Sequence, residues 1–230
     1  MYHPLIIGAG GVASYLLPVL IKAFRPTALT IIDKDVLEPR NLDRQLFHPG
    51  FVGRNKAEAL VATCVPQESV EVTILREWFS DSTELPDGID TVFCAADNHL
   101  ARLEAIQLAD RLRIRAYLGG NEYFDNEAYV YDPAWAGTEK DPRVRYPSLL
   151  TDHDGSPLNC TGAAQIATPQ LAVANMGCAA KLLHLAWTYE RWVPENRGKL
   201  ERATFETVLR RLPYELYSNV YESGQHASEQ

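Results

Sequence analysis

The chain has 230 residues, 46% of them hydrophobic and 23% charged, and a formal net charge of −8. That length supports one substantial core and at most two domains, and the acidity argues against a general nucleic-acid or membrane-surface binder, which needs a basic patch. The sequence has no apolar run of about 18 residues, no secretory leader pattern, and no Cys-x-x-Cys pair among Cys64, Cys94, Cys160 and Cys178, so neither a spanning helix nor a zinc site of the common spacing is expected. Widely spaced thiols fit free cysteines in a reducing cytoplasm.

Residues 5–7 predict a short buried strand, after which Gly8-Ala9-Gly10-Gly11 turns the chain. Residues 12–23 have helical length, with Pro18 expected to weaken the helix's regularity. A second strand is predicted over 28–32, ending at Asp33. A polar segment over 34–53 leads to a helix over 56–63, and a third strand follows over 70–75. The fourth strand, 90–94, stops at Ala95-Ala96-Asp97-Asn98. Leu100, Leu103, Ile106, Leu108 and Leu112 then recur close to a helical period. Fifth and sixth strands are predicted over 115–118 and 127–131. Strands alternating with helices as far as Leu118 predict a mainly parallel sheet with right-handed crossovers. Residues 133–162 are rich in proline, glycine and polar residues and predict a long crossing or active-site loop. Residues 168–187 form the longest helical stretch, and the charged tail beyond Pro194 holds candidate strands at 204–212 and 215–221. The expected fold is α/β, a Rossmann-like and mainly parallel sheet with flanking helices and an antiparallel extension in the C-terminal half. It is read as one domain, with a nucleotide-binding half (1–132), a crossing loop (133–167), and a C-terminal helix and tail (168–230).

The chemistry concentrates in the first half. Gly8, Gly10 and Gly11 follow a strand and open a helix, so the backbone can approach a phosphate and the helix N-terminus offers unpaired amides to it. Asp33, at the end of the second strand, is placed to accept hydrogen bonds from a ribose. Beyond it come Asp35, then Asn41-Leu42-Asp43-Arg44-Gln45, then Gly53-x-x-Lys56. A triphosphate gives this polar array a use, because Arg44 can fork onto phosphate oxygens while Lys56 adds a point charge. Asp97, at the end of the fourth strand, suits Mg²⁺, which takes one or two carboxylates together with phosphate oxygens. A nicotinamide-dependent oxidoreductase shares the glycine turn and Asp33 but has no use for Arg44 and Lys56.

The run Gly8-x-Gly10-Gly11, Asp33-x-Asp35, Asn41-x-x-Arg44-Gln45, Gly53-x-x-Lys56-Ala57 and Ala96-Asp97-Asn98-x-x-x-Arg102 resembles the adenylation domain shared by ThiF, MoeB, HesA and the ubiquitin-activating enzymes, closely over 5–118. The resemblance implies ATP and Mg²⁺ as cofactors, with Asp33 on the ribose and Asn41, Arg44, Gln45 and Lys56 on the phosphates. Asp97 would hold Mg²⁺, and Asp35 and Asn98 would complete the nucleotide site. The implied reaction joins the C-terminal carboxylate of a ubiquitin-like protein ending in glycine to the α-phosphate of ATP. Asn159-Cys160-Thr161-Gly162-Ala163 resembles the segment whose cysteine captures the acyl group, which makes Cys160 a candidate nucleophile. A homodimer and a conjugating-enzyme-like partner or sulfur donor are implied as well. Two departures stand out: the paired zinc cysteines of the relatives are missing, so no zinc is expected, and no arginine precedes Arg25 to reach a partner subunit's nucleotide. The second departure keeps open a non-catalytic subunit of a heterodimer.

Overall fold

A computed structural model describes residues 2–65, 70–122, 124–151, 170–192, 204–212 and 215–222. Strands β1 (Pro4–Ile7), β2 (Ala28–Ile32), β3 (Glu71–Leu75), β4 (Thr91–Cys94), β5 (Arg115–Glu122), β6 (Asp125–Tyr131), β7 (Thr204–Leu212) and β8 (Glu215–Glu222) form one sheet in the order β3-β2-β1-β4-β5-β6-β7-β8. Pairing is parallel from β3 to β5 and antiparallel from β5 to β8. This is the expected α/β architecture with its antiparallel extension. Every residue of β1 is buried, as continuous apolar strands are when helices cover both faces of a parallel sheet.

The helices are α1 (Gly11–Phe24), α2 (Lys56–Cys64), α3 (His99–Leu112), α4 (Pro142–Arg145), α5 (Ser148–Thr151) and α6 (Ala172–Trp187). Neighbouring positions on β5 separate the two layers. A side chain on Gly119 would meet Cys178 and Leu182 of α6, whereas one on Gly120 would meet Arg102 of α3. Successive strand residues point to opposite faces, so α6, with α1 packed along it, covers one face and α3 the other. Pro18 does not end α1, which runs unbroken to Phe24. Leu16, Leu17 and Leu20 are fully buried around it, and that burial offsets the ~3 kcal/mol an interior proline costs. The helix stops at Arg25, which takes a left-handed conformation at φ 50°.

The stretch read as a long loop has structure in its described part. Residues Pro133–Trp135 make a 3₁₀ turn, and α4 and α5 follow. One arginine organises it. Arg143 grips the buried Asp141 with Nε–Oδ1 at 2.9 Å and Nη2–Oδ2 at 2.8 Å, and reaches Asp110 of α3 at 2.7 Å and the Tyr131 hydroxyl of β6 at 2.8 Å. The next arginine, Arg145, pairs with the buried Glu206 of β7 at 2.9 Å. Two bidentate-capable cations therefore pin this segment to three separate elements, a role that composition does not reveal.

Burial alone would raise the Asp141 carboxyl, but hydrogen bonds from the Arg143 side chain and from the Gly137 and Arg143 amides outweigh it and hold the group below its ordinary value. The stabilisation it gives is present above the unfolded carboxyl pKa of about 3.9 and is lost as pH falls through the lower folded value. Asp141→Asn is accordingly expected to lower the thermal midpoint by several degrees at neutral pH. The gap from wild type should narrow below about pH 4, as measured by thermal melts across a pH series.

Candidate functional site

Helix α1 leaves the end of β1 on one face of the sheet and α3 leaves the end of β4 on the other, which opens a crevice at the carboxyl ends of these neighbouring strands. A cavity of about 400 Å³ lies there, within the ~300–1,000 Å³ typical of cofactor sites. Gly8 turns the chain at its edge with φ +87°. A Cβ on Gly8 would sit 3.0 Å from Ala96 N and 3.2 Å from Ala95 C, both backbone atoms just past β4. The turn thus has to be glycine for its backbone angle and for its closeness to the next strand. Gly10 precedes α1 and caps it with no side chain, and the first turn carries no acidic residue. The amides at this helix end are left for an anion.

Asp33 closes the crevice at the end of β2 and is 7% exposed. Its Oδ2 accepts from Ala9 N at 2.7 Å and its Oδ1 from Asp35 N at 2.7 Å. Burial raises its carboxyl, while those two amides and the Lys56 ammonium pull it back. Each oxygen keeps a further lone pair for a ligand hydroxyl. Lys56 is the first residue of α2, and its Nζ lies 2.7 Å from Asp35 Oδ2. Asn55 places it: Oδ1 caps α2 by accepting from Ala57 N and Glu58 N, and Nδ2 donates to Asp33 O at 2.8 Å and Asp35 O at 3.2 Å.

Asn41 is buried and organises the neighbouring turn. Its Oδ1 accepts from Glu38 N at 2.9 Å, and its carbonyl accepts from Arg44 N and Gln45 N. Neither Asn41 nor Arg44 is among the residues lining the cavity. The Arg44 Nη1 instead donates to Arg40 O at 2.7 Å and Asp43 Oδ1 at 2.8 Å. Gln45 does line the cavity, and its Oε1 is buried without a hydrogen-bond partner among the described residues. Leaving such an acceptor unpaired costs about 1–3 kcal/mol, a cost that a donor on a bound ligand removes.

Asp97 and Asn98 line the opposite wall. Asn98 caps α3, its Oδ1 accepting from Ala101 N at 2.8 Å, which sets Asp97 just before a helix N-terminus. The lining thus brings together Gly8, Gly10, Gly11, Asp33, Asp35, Gln45, Lys56, Asp97 and Asn98. Cys160 lies outside the described residues. Among the described residues no cluster of three or more His, Cys, Asp or Glu could hold a metal. Mg²⁺ does not require one, because a single carboxylate with nucleotide phosphates and water suits it, and Asp97 offers that carboxylate. Sequence reasoning missed Glu77, Trp78 and Phe79 just after β3, Glu104 of α3, and Asn121 of β5, all of which line the cavity. Asn55 carries a readable signal, an asparagine immediately before a helical run; the segment after β3 carries none.

Residues 1–212 match the model of the ThiF family. The chain is 31% identical over 153 residues to the probable adenylyltransferase/sulfurtransferase MoeZ of Mycobacterium tuberculosis, covering 64% of this chain and 38% of that protein. It is 37% identical over 101 residues to the SAMP-activating enzyme E1 of Haloferax volcanii, covering 42% of this chain and 37% of the other. The chain thus spans less than two fifths of either relative. In fold it resembles E. coli MccB, solved with AMPCPP and MccA, with a TM-score of 0.68 and 16% identity over 99% of this chain and 65% of that one.

Substituting Gly8 by alanine is expected to strain the turn and push it off the Ala95–Ala96 backbone, lowering stability by about 1–3 kcal/mol. Urea unfolding checks this, and a midpoint equal to wild type would show that the turn relaxes freely.

Proposed function

We propose that this chain, which belongs to the ThiF family, binds ATP in the crevice and activates a substrate carboxylate by adenylation. The observation that carries this reading is the meeting, around one cavity, of the glycine turn, the ribose-type carboxylate Asp33, the cation Lys56 and the metal-type carboxylate Asp97. A dinucleotide site accounts for the first two but leaves Lys56 and Asp97 without work. MoeZ is named a probable adenylyltransferase/sulfurtransferase and the Haloferax volcanii relative a SAMP-activating enzyme; together with the family resemblance, these names favour the C-terminus of a ubiquitin-like protein as the carboxylate. A peptide terminus fits the same chemistry.

In this mechanism Asp33 accepts the ribose hydroxyls, fixing the nucleoside, and the amides at the start of α1 face the phosphates. Lys56 exchanges Asp35 for phosphate oxygens and offsets charge on them. Arg44 turns from Arg40 and Asp43 onto the same phosphates, held in place by Asn41, and Gln45 offers its unpaired oxygen to a donor. Asp97 would hold Mg²⁺, which when bound neutralises phosphate charge as pyrophosphate leaves. A carboxylate oxygen forms a bond to the α-phosphorus, the bond from that phosphorus to the bridging oxygen breaks, and pyrophosphate departs with the electron pair. The product is an acyl-adenylate. No group of the protein bonds covalently to substrate in this step, so its contribution is orientation and charge stabilisation. Capture of the acyl group by Cys160, a conjugating-enzyme-like or sulfur-donor acceptor, homodimerisation and a cytoplasmic setting belong to the same proposal and rest on the family resemblance.

ATP–pyrophosphate exchange with ubiquitin-like proteins ending in Gly-Gly tests it. Exchange should require the protein substrate, fall about 10²–10³-fold in Asp97→Ala, and persist in Cys160→Ala. A folded protein that binds ATP yet gives no exchange with any such substrate would point to a non-catalytic subunit.

A further inference from the structure

Helix α6 buries an amide where its surroundings call for apolar side chains. Asn175 is fully buried, between Ala174 and Met176 in the first turns of the helix. A buried amide is stabilising only if its hydrogen bonds are made. Its Nδ2 lies 3.0 Å from the Arg44 carbonyl oxygen, and its Oδ1 lies 2.6 Å from Asn121 Nδ2. The direction of this relay is forced. A backbone carbonyl only accepts, so Asn175 must present its NH₂ to Arg44, its oxygen to Asn121, and Asn121 must donate in turn. The Asn121 oxygen is thereby left for the cavity that this residue lines.

The same side chain fills the space over the glycine turn. A Cβ on Gly11 would fall 2.3 Å from Asn175 Nδ2, 2.5 Å from Cγ and 2.6 Å from Oδ1. One residue of α6 therefore touches the first residue of α1, the main chain of Arg44, and a cavity-lining amide of β5, three places far apart in sequence.

We propose that Asn175 is a positioning residue for the triphosphate. It fixes the main chain of Arg44 relative to the helix end that receives the phosphates, so that the guanidinium swings onto the β- and γ-phosphates from an anchored backbone, and it sets which end of the Asn121 amide faces the ligand. The inference rests on reading the crevice as an ATP site, and it assigns Asn175 no contact with ATP.

The test is calorimetric titration of the full chain with a non-hydrolysable ATP analogue and, separately, with AMP. AMP lacks the phosphates that Arg44 reaches. Asn175→Ala is expected to weaken the ATP analogue about tenfold, the loss of one buried hydrogen bond's positioning effect, and AMP by less than about twofold. Asn175→Asp keeps the volume and supplies a second readout should the alanine variant not fold. Its carboxylate sets an oxygen against the Arg44 carbonyl, so the selective loss should appear near about pH 8 and shrink relative to wild type in mild acid, where the protonated group donates again. Gly11→Ala alone should destabilise the fold, and Gly11→Ala with Asn175→Ala should recover part of that loss, because the collision is with the Asn175 side chain. Equal weakening of both nucleotides, or no weakening of either, would overturn the proposal. A wild-type protein that binds neither nucleotide would instead overturn the ATP reading on which the proposal stands.

Discussion

The closeness of Gly8 to the backbone beyond β4 governs the rest of the molecule. At φ +87°, and with Ala96 N 3.0 Å from where a Cβ would stand, the turn out of β1 lies directly against the end of the neighbouring strand. That contact aims the start of α1 into the crevice. It also brings Ala9 N onto Asp33 at 2.7 Å, which ties the glycine turn to β2, and puts Asp97 across the same opening. A sheet of this topology has a crevice where its crossovers diverge, and the glycine turn makes that crevice narrow enough for backbone amides to face a ligand.

Charges of both signs surround this opening. An acidic chain with carboxylates at Asp33, Asp35 and Asp97 is a poor general host for polyphosphate, and its local cations are held by neighbouring carboxylates and by a main-chain oxygen. Lys56 rests on Asp35, and Arg44 rests on Arg40 O and Asp43. On the proposed reading, nucleotide phosphates would compete for both cations, and a divalent ion at Asp97 would offset the carboxylate that faces them. The buried Asp33 is held by two main-chain amides, so on the same reading it would serve as the fixed point while the cations exchange partners.

Much of the fold and half of the site can be read in local sequence. Strand–helix alternation and the apolar runs at β1, β2 and β4 carry the parallel sheet, because burial on both faces leaves a continuous hydrophobic signature. The glycine turn, Asp33, Lys56 and Asp97 stand at strand ends or helix starts, where residue type and position are tightly coupled. What escapes such reading is held by distant partners. Arg143 and Arg145 look like solvated charges until Asp110, Asp141 and Glu206 are brought to them. Asn175 resembles a poor helix residue in an apolar stretch, and its use appears only when Gly11, Arg44 and Asn121 meet it. Pro18 shows the converse, a strong local signal overruled by burial of its neighbours.

Nucleotide preference decides whether the crevice is a triphosphate site. Competitive calorimetry with ATP in the presence of Mg²⁺ and with NAD⁺, on wild type and Lys56→Ala, separates a triphosphate site from a dinucleotide site built on the same glycine turn. ATP should bind, NAD⁺ should fail to displace it, and loss of Lys56 should weaken ATP by about tenfold or more. NAD⁺ binding as tightly as ATP, with Lys56→Ala indifferent to both, would contradict a triphosphate site.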